Sequence, residues 1–335
     1  MARRNAVVVI ADEYQFPPAA FLATRLRALN GRDDTDILLG SNSQAALEQA
    51  KAWDVGLMLI DLAEFERVRT LPTQIGITSA AYLRLFLPRL LAKSYDRILY
   101  LDADIYVESP RLFDLFDLDM RGHAIAGVRD MNIPFVPNKG NALELRATFG
   151  LTDKDPPARY YRVKYMNTGV SLYDVDAFVA AGIEKKALAM MPGRIPKPIY
   201  VDQTVTNAVL RGDWLELSPA FNMIVRAWGS FIRAFARPVL VHFTGGLKPW
   251  HRAFVDPHPI RQELPAFLKS SPWPDFLLRS NPSLVAGGGP APAPQLPHWH
   301  GESLAELLRY LRETPFADVE QGLTKLDFAA LPAQA

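Results

Sequence analysis

The sequence predicts an α/β fold, a mixed and mostly parallel, doubly wound sheet flanked by helices in a single large domain. Three observations predict it. Short apolar or β-branched runs recur at Ala6–Ile10, Ile37–Leu39, Val55–Ile60, Ile98–Leu101 and Ala124–Val128. Helical patterns fall between several of them. Acids stand where several of the runs end. Continuous apolar runs of this length read as buried strands, and their alternation with helices reads as βαβ units. Open sheets of this kind bind ligands beyond the carboxyl ends of their strands.

Taken in order, Ala6–Ile10 is a central strand with Ala11, Asp12, Glu13 and Tyr14 at its carboxyl end. A helix follows over about 18–29, with Gly31 as its stop signal. A helical stretch over 44–51 separates the next two strands. Leu83, Phe86, Leu87, Leu90 and Leu91 fall at helical spacing and predict an amphipathic helix over 78–91, capped by Thr78 or Ser79. Pro88 should kink it or end it early. Arg84 lies off its apolar stripe. It reads either as a solvated surface arginine or as a reach toward an anion at the sheet edge.

Ser109 and Pro110 read as a cap and a first helical position. Residues 131–161 are rich in Pro, Asn, Lys and Tyr, with one helical stretch near 142–149, and read as an excursion over the site. Residues 165–173 return to the sheet, and Asp174 caps a short helix. A helix over 200–211 ends at Gly212. Residues 239–250 form a last strand passing into a glycine turn. Beyond residue 256 the chain turns Pro- and Gly-rich, above all over 286–294, and reads as a linker. A short helix over 301–311 carries Leu304, Leu307, Leu308 and Leu311 on one face. It is expected to pack back on the body, with a membrane or a partner as the other candidates. The expected division is 1–255 as catalytic domain and 256–335 as a C-terminal extension.

Lysine and arginine number 37 and acids 36 among 335 residues. No overall positive field therefore argues for nucleic acid. The absence of cysteine excludes disulfides, a thiol nucleophile and thiolate metal sites, and fits a reducing compartment. The apolar run after Met1–Asn5 is too short for a signal peptide, and no run approaches the ~18 apolar residues of a membrane span. The expectation is a soluble, cytoplasmic protein, with the extension as the segment open to peripheral contact with the inner face of the membrane.

The centre of the chain is Arg97–Val107, Arg-Ile-Leu-Tyr-Leu-Asp-Ala-Asp-Ile-Tyr-Val. Side chains two apart on a strand share a face. Asp102 and Asp104 are thus expected to project together from a strand end. Two such carboxylates repel, and a hard divalent cation relieves the repulsion. A polar strand end or a helix cap is the plainer reading of the same triplet.

Three further motifs follow: Asn167-Thr-Gly169, Asp202-Gln203 and His242-Phe-Thr-Gly-Gly-Leu-Lys248-Pro-Trp250. In this order and spacing, from about Ala6 to Trp250, the set resembles the signature of the family 8 retaining glycosyltransferases. That group includes glycogenin and the bacterial lipopolysaccharide galactosyl- and glucosyltransferases. The resemblance implies a GT-A fold, a UDP-linked hexose donor of the glucose or galactose type, and a manganese ion with magnesium as the alternative. Asp102, Asp104 and His242 would be its ligands, a mixed oxygen and nitrogen set that suits manganese better than calcium. Gly245 and Gly246 would let the backbone approach a phosphate, with Lys248 as a point charge. Ala11, Asp12, Tyr14, Arg84 and Ala103 complete the implied nucleotide and phosphate contacts. Arg84, Asp130, Asn167 and Asp202 are the implied sugar contacts.

Retention needs front-face attack or a double displacement. Gln203 matches the family residue beneath the anomeric carbon. An amide oxygen is a poor nucleophile and a fair dipolar stabiliser, so front-face attack by a hydroxyl of a glycan or glycolipid acceptor is favoured. Thr204 stands where many relatives carry an acid. Asn167 also reads as a turn-stabilising amide, and Asp202-Gln203 as a helix N-terminus with the acid as cap. Two other classes stay open at this point. One is a haloacid-dehalogenase-like phosphatase with an aspartate nucleophile. The other is a non-catalytic nucleotide-sugar or glycan-binding module.

Overall fold

The computed structural model describes residues 4–61, 63, 66, 71, 79–136, 138–190, 200–225, 232–233, 237–246, 248–251, 254, 257–279 and 301–324. Ten strands occur among them: β1 (Asn5–Ile10), β2 (Thr35–Ser41), β3 (Gly56–Leu59), β4 (Arg97–Leu101), β5 (Ile105–Val107), β6 (Ile125–Arg129), β7 (Met166–Asp174), β8 (Leu215–Leu217), β9 (Met223–Ile224) and β10 (Leu240–His242). Seven form one sheet in the order β3-β2-β1-β4-β7-β6-β8. β1 to β4 run parallel to one another, β7 is antiparallel to both β4 and β6, and β6 and β8 run parallel. The remaining three form a small sheet, β5-β10-β9.

The apolar runs of β1 and β4 bury both faces because alternate residues enter different cores, whereas β3, expected to be buried, is an edge strand with Leu59 53% exposed. Val7 and Val9 of β1 join one cluster with Leu99 and Leu101 of β4. Ala6, Val8 and Ile10 join another with Ile98 and Tyr100. The helix Phe16–Leu29 packs in the first layer through Phe16, Leu22 and Leu26. The second layer holds Tyr82, Leu83, Phe86 and Leu87 and the apolar side of the helix Asp202–Leu210. Fully burying each such large side chain contributes roughly 1.5–3 kcal/mol.

Two elements differ from expectation. The helix foreseen over 78–91 is a 3₁₀ helix, Ser79–Leu85, followed by a five-residue α-helix, Leu87–Leu91, with Pro88 in its first turn. Pro88 has no N–H to give and its ring crowds the preceding turn, so the chain restarts there rather than continuing. Thr78 lies outside the described residues. The second difference concerns the central stretch. It is two strands in two sheets, β4 ending at Leu101 and β5 beginning at Ile105. Asp102 and Asp104 therefore sit in the turn between sheets, not on one strand face.

Caps fall where short polar side chains predict them. Asp174 accepts from the Ala177 N–H, Ser109 from Arg111, and Asn138 from Asn141 at the head of the helix Lys139–Phe149. The segment opened by Ser109 is 3₁₀ over Pro110–Asp117. The helix Ile260–Lys269 packs Ile260, Leu264 and Leu268 against Phe21, Tyr106 and Phe243. The helix Gly301–Glu313 lays Leu307, Leu308 and Leu311 on Met131, Phe135 and Tyr161 of the excursion. The linker foreseen over 286–294 lies outside the described residues. No helix among the described residues is long and apolar enough to cross a membrane.

Candidate active site

The two sheets meet at the 102–104 turn. The Asp102 N–H donates to the Gly169 carbonyl (2.9 Å), which ties the turn to β7, and the Phe243 N–H donates to the Asp104 carbonyl (3.0 Å), which ties it to the end of β10. β7 itself bulges here. Gly127 of β6 pairs with Ser171, but Val128 pairs with Asn167. Thr168 and Gly169 are thereby turned out of the β6 ladder toward the turn, as bulges beside functional sites do.

Asp102, Asp104 and His242 converge. Their ligand atoms lie within 4.8 Å of one another. His242 Nε2 is 3.2 Å from Asp104 Oδ1 and 3.7 Å from Asp102 Oδ2. The imidazole and the acid pair come from segments 140 residues apart, so their meeting is a consequence of β10 pairing antiparallel with β5, His242 opposite Ile105. Gly169 makes the room. A Cβ there would stand 2.3 Å from His242 Cε1 and 2.6 Å from Asp102 Oδ2. Two carboxylates and one imidazole, facing each other beside a spot that tolerates no methyl group, fit a borderline divalent ion such as manganese.

Each acid of the pair has its own cation. Lys248 Nζ contacts the Asp104 carboxylate and donates to the Phe243 carbonyl. Burial disfavours the Asp104 carboxylate, but Lys248 and His242 overcome it and hold its carboxyl well below the usual range. Arg84, expected off the apolar stripe, is buried at 6% exposure. Its guanidinium lies 2.9 Å from Asp102 Oδ1 and 3.0 Å from Asp202 Oδ2, donates to the Thr168 carbonyl (2.8 Å), and rests over the Tyr100 ring at 4.5 Å. Burial opposes its charge, and Asp102 and Asp202 more than offset that cost. The surface reading of Arg84 is thus replaced by a buried bridge between two motifs.

Asp202 is the first residue of its helix, not the cap. Val201 holds the cap position with φ 52°, uncommon for a β-branched residue, and makes no side-chain cap bond. The Asp202 carboxyl instead accepts from Thr168 Oγ1 (3.1 Å). Burial pushes it up to about 6, against the opposing pull of Arg84 and with added repulsion from Asp102. The Gln203 side chain accepts from the Thr168 N–H (3.2 Å) and donates to Asp130 Oδ2 (3.3 Å). Asp130 also accepts from Asn167 Nδ2 (2.9 Å), and burial raises its carboxyl despite these bonds.

The residues at the end of β1 are placed less specifically. Asp12 Oδ1 accepts from the Gln15 N–H (2.9 Å), ahead of the first helix. Tyr14 is exposed, its ring centroid 6.2 Å from that of Phe276. Ala11 is buried and bonded to the Gly40 carbonyl. Ala103 is half-buried against the core. In the glycine turn, Gly245 takes φ 83°, the left-handed region, whereas Gly246 has open space around it. Trp250 is buried in an aromatic cluster with Phe243 and Phe254. Gly169 was legible only as part of its triplet. Thr168 lies in the same triplet, whereas Asn222 and Tyr100 were not singled out, although Tyr100 stands two residues before Asp102 and donates to its Oδ1 at 2.8 Å.

Comparison with known proteins agrees with this geometry. Residues 62–253 match the family described as Glycosyl transferase family 8. The chain is 27% identical over 229 residues to the lipopolysaccharide 1,2-glucosyltransferase of Escherichia coli, covering 66% of this chain and 63% of that protein. It is 28% identical over 265 residues to the lipopolysaccharide 1,3-galactosyltransferase of Salmonella typhimurium, covering 76% and 73%. Among solved structures, LgtC with donor and acceptor sugar analogs superposes with a TM-score of 0.60 at 19% identity, over 80% of this chain and 96% of that one. The apo structure of the bifunctional glycosyltransferase WbbM gives 0.63 at 17%, over 84% and 52%. The fold is GT-A. The matched span runs from just after β3 to the glycine turn and takes in the acid pair, the bulge on β7, the Asp202 helix and His242. The chain belongs to glycosyl transferase family 8, and it is a glycosyltransferase.

Proposed function

We propose that the chain transfers a hexose from a UDP-linked donor to a hydroxyl of a glycan or lipopolysaccharide-type acceptor, with retention of configuration. The convergence of Asp102, Asp104 and His242 beside Lys248 carries the reading. The sugar class follows the names of the two relatives, a glucosyl- and a galactosyltransferase.

A divalent ion, manganese first, would be held by Asp102, Asp104 and His242 and would supply positive charge for the departing diphosphate. The protein supplies the rest. Lys248 stands at the Asp104 carboxylate as a second positive charge for the same oxygens. Gly245 bends the chain so that the backbone of its turn can approach a phosphate. Arg84 clamps Asp102 to Asp202, which fixes the acid pair relative to the helix bearing Gln203. The Gln203 amide oxygen offers a dipole to positive charge growing at the anomeric carbon. Asp130 and Asn167 are assigned to sugar hydroxyls. The acceptor hydroxyl attacks on the face the diphosphate leaves, and the leaving oxygens take up its proton. Asp12 and Tyr14 are assigned to the base and ribose.

The test is sugar release and transfer from UDP-glucose and UDP-galactose with and without manganese, in wild type and Asp104→Asn. Manganese-dependent release that is lost in Asp104→Asn is the expected result. Undiminished turnover in that variant defeats the assignment.

A further inference from the structure

Asn222 belongs to no motif. It follows the turn Pro219–Phe221, precedes β9 and is fully buried. Its carboxamide lies between His242 and Asn167, and hydrogen bonds run on from there to Asp130 and Gln203.

Donor chemistry orients every amide in this chain of contacts. The Gly169 N–H can only donate, and it meets Asn167 Oδ1 at 3.1 Å. That oxygen is therefore an acceptor, and Asn167 Nδ2 faces the Asp130 carboxylate at 2.9 Å. The atom of Asn222 that meets Asn167 Oδ1, at 2.9 Å, must then be its Nδ2. This leaves Asn222 Oδ1 facing His242 Nδ1, also at 2.9 Å. An acceptor there requires a hydrogen on Nδ1, so Nε2 is the nitrogen presented to Asp102 and Asp104. The same Asp130 oxygen that anchors the relay accepts from Gln203 Nε2 at 3.3 Å.

We propose that Asn222 is a positioning residue for His242, and that the relay Asn222–Asn167–Asp130 joins the histidine of the ion site to the Gln203 carboxamide. The proposal rests on the reading of Asp102, Asp104 and His242 as holders of a divalent ion. A histidine ligand depends on the group that holds its other nitrogen, and loss of such a partner typically weakens metal binding 10–100-fold. The relay lies in the interior, where an amide with no partner is costly, so its members favour a single arrangement.

The experiment measures manganese binding by calorimetry on the full chain without donor. Wild type, Asn222→Leu, Asn222→Asp, Asp104→Asn and His242→Ala are compared, with turnover recorded alongside. Asn222→Leu removes the acceptor and is expected to weaken manganese by about 10–100-fold in folded protein. Asn222→Asp keeps an acceptor for Nδ1–H but sets a carboxylate oxygen against Asn167 Oδ1. It is expected to bind manganese at least as well as wild type while kcat falls. In the His242→Ala background, Asn222→Leu should weaken manganese no further. A folded Asn222→Leu that binds manganese like wild type overturns the proposal. Where Asn222→Leu does not fold, Asn222→Asp decides, and loss of manganese binding in that variant overturns the proposal. If Asp104→Asn abolishes binding and the Asn222 variants do not behave as stated, the relay alone falls. If Asp104→Asn binds like wild type, the ion site falls and the relay with it.

Discussion

Replacing Gly169 by alanine adds one methyl group at the point where the three candidate ligands face each other. The backbone of Gly169 lies outside the left-handed region, so space alone is at issue. The added Cβ would stand 2.3 Å from His242 Cε1, whereas ordinary contact begins near 3.4 Å. Relief requires a displacement of ~1 Å by the ring, by β7 or by both, in an interior packed too densely to give way freely. The Asp102 oxygen at 2.6 Å must move as well. Ligand distances tolerate only about 0.2 Å. Gly169→Ala is therefore expected to weaken manganese binding by at least about tenfold. Overpacking should cost roughly 1–3 kcal/mol of stability. The assays are calorimetric manganese binding on the folded protein, urea unfolding, and UDP-sugar turnover. Manganese affinity and kcat/KM at wild-type level in a folded Gly169→Ala protein would refute the reasoning. Equal losses of stability and turnover with manganese affinity intact would place the residue in the scaffold only.

Further outcomes follow from the same geometry. Arg84→Met leaves Asp102 and Asp202 without their shared cation, and breaking a buried pair in this way costs about 3–5 kcal/mol, read by urea unfolding. Arg84→Lys should recover only part of this, because one ammonium cannot reach Asp102, Asp202 and the Thr168 carbonyl together. The Asp202 carboxyl gives a pH dependence. Unfolded it loses its proton near 3.8, folded near 6, so the folded state holds more protons between these values. Stability from this group is present below about pH 4 and is lost as pH rises through 6, by about 3 kcal/mol at most. Asp202→Asn should flatten unfolding free energy across that window, and an unchanged slope would refute the assignment. Lys248→Ala should lower turnover far more than thermal stability. Matched losses would make the lysine structural.

The layers of the fold were legible because buried parallel strands announce themselves as apolar runs, and Ala6–Ile10 and Ile98–Leu101 do so plainly. The acid pair, His242, Asp202 and Gln203 were legible as ordered motifs. What escaped was decided by contacts distant in sequence. The spacing of Asp102 and Asp104 reads as one strand, yet the chain leaves the large sheet at Leu101 and joins another at Ile105. Arg84 was legible as a candidate site residue, but its bridging of Asp102 and Asp202 was not, because nothing local reveals that Asp202, over a hundred residues later, will lie against it. Asn222 has no signature, since its task depends on where His242 and Asn167 come to lie.

The seating of the Gly301–Glu313 helix on Met131, Phe135 and Tyr161 bears on the order of events at the ribosome. Contacts between the excursion and this helix span upward of 140 residues of chain, 142 between Tyr161 and Ser303. The excursion is synthesised early, yet its oily underside stays wet until residues 301–313 emerge. A chain stopped short of Gly301 would keep every ligand of the candidate ion site and still present that underside to water, where it invites self-association.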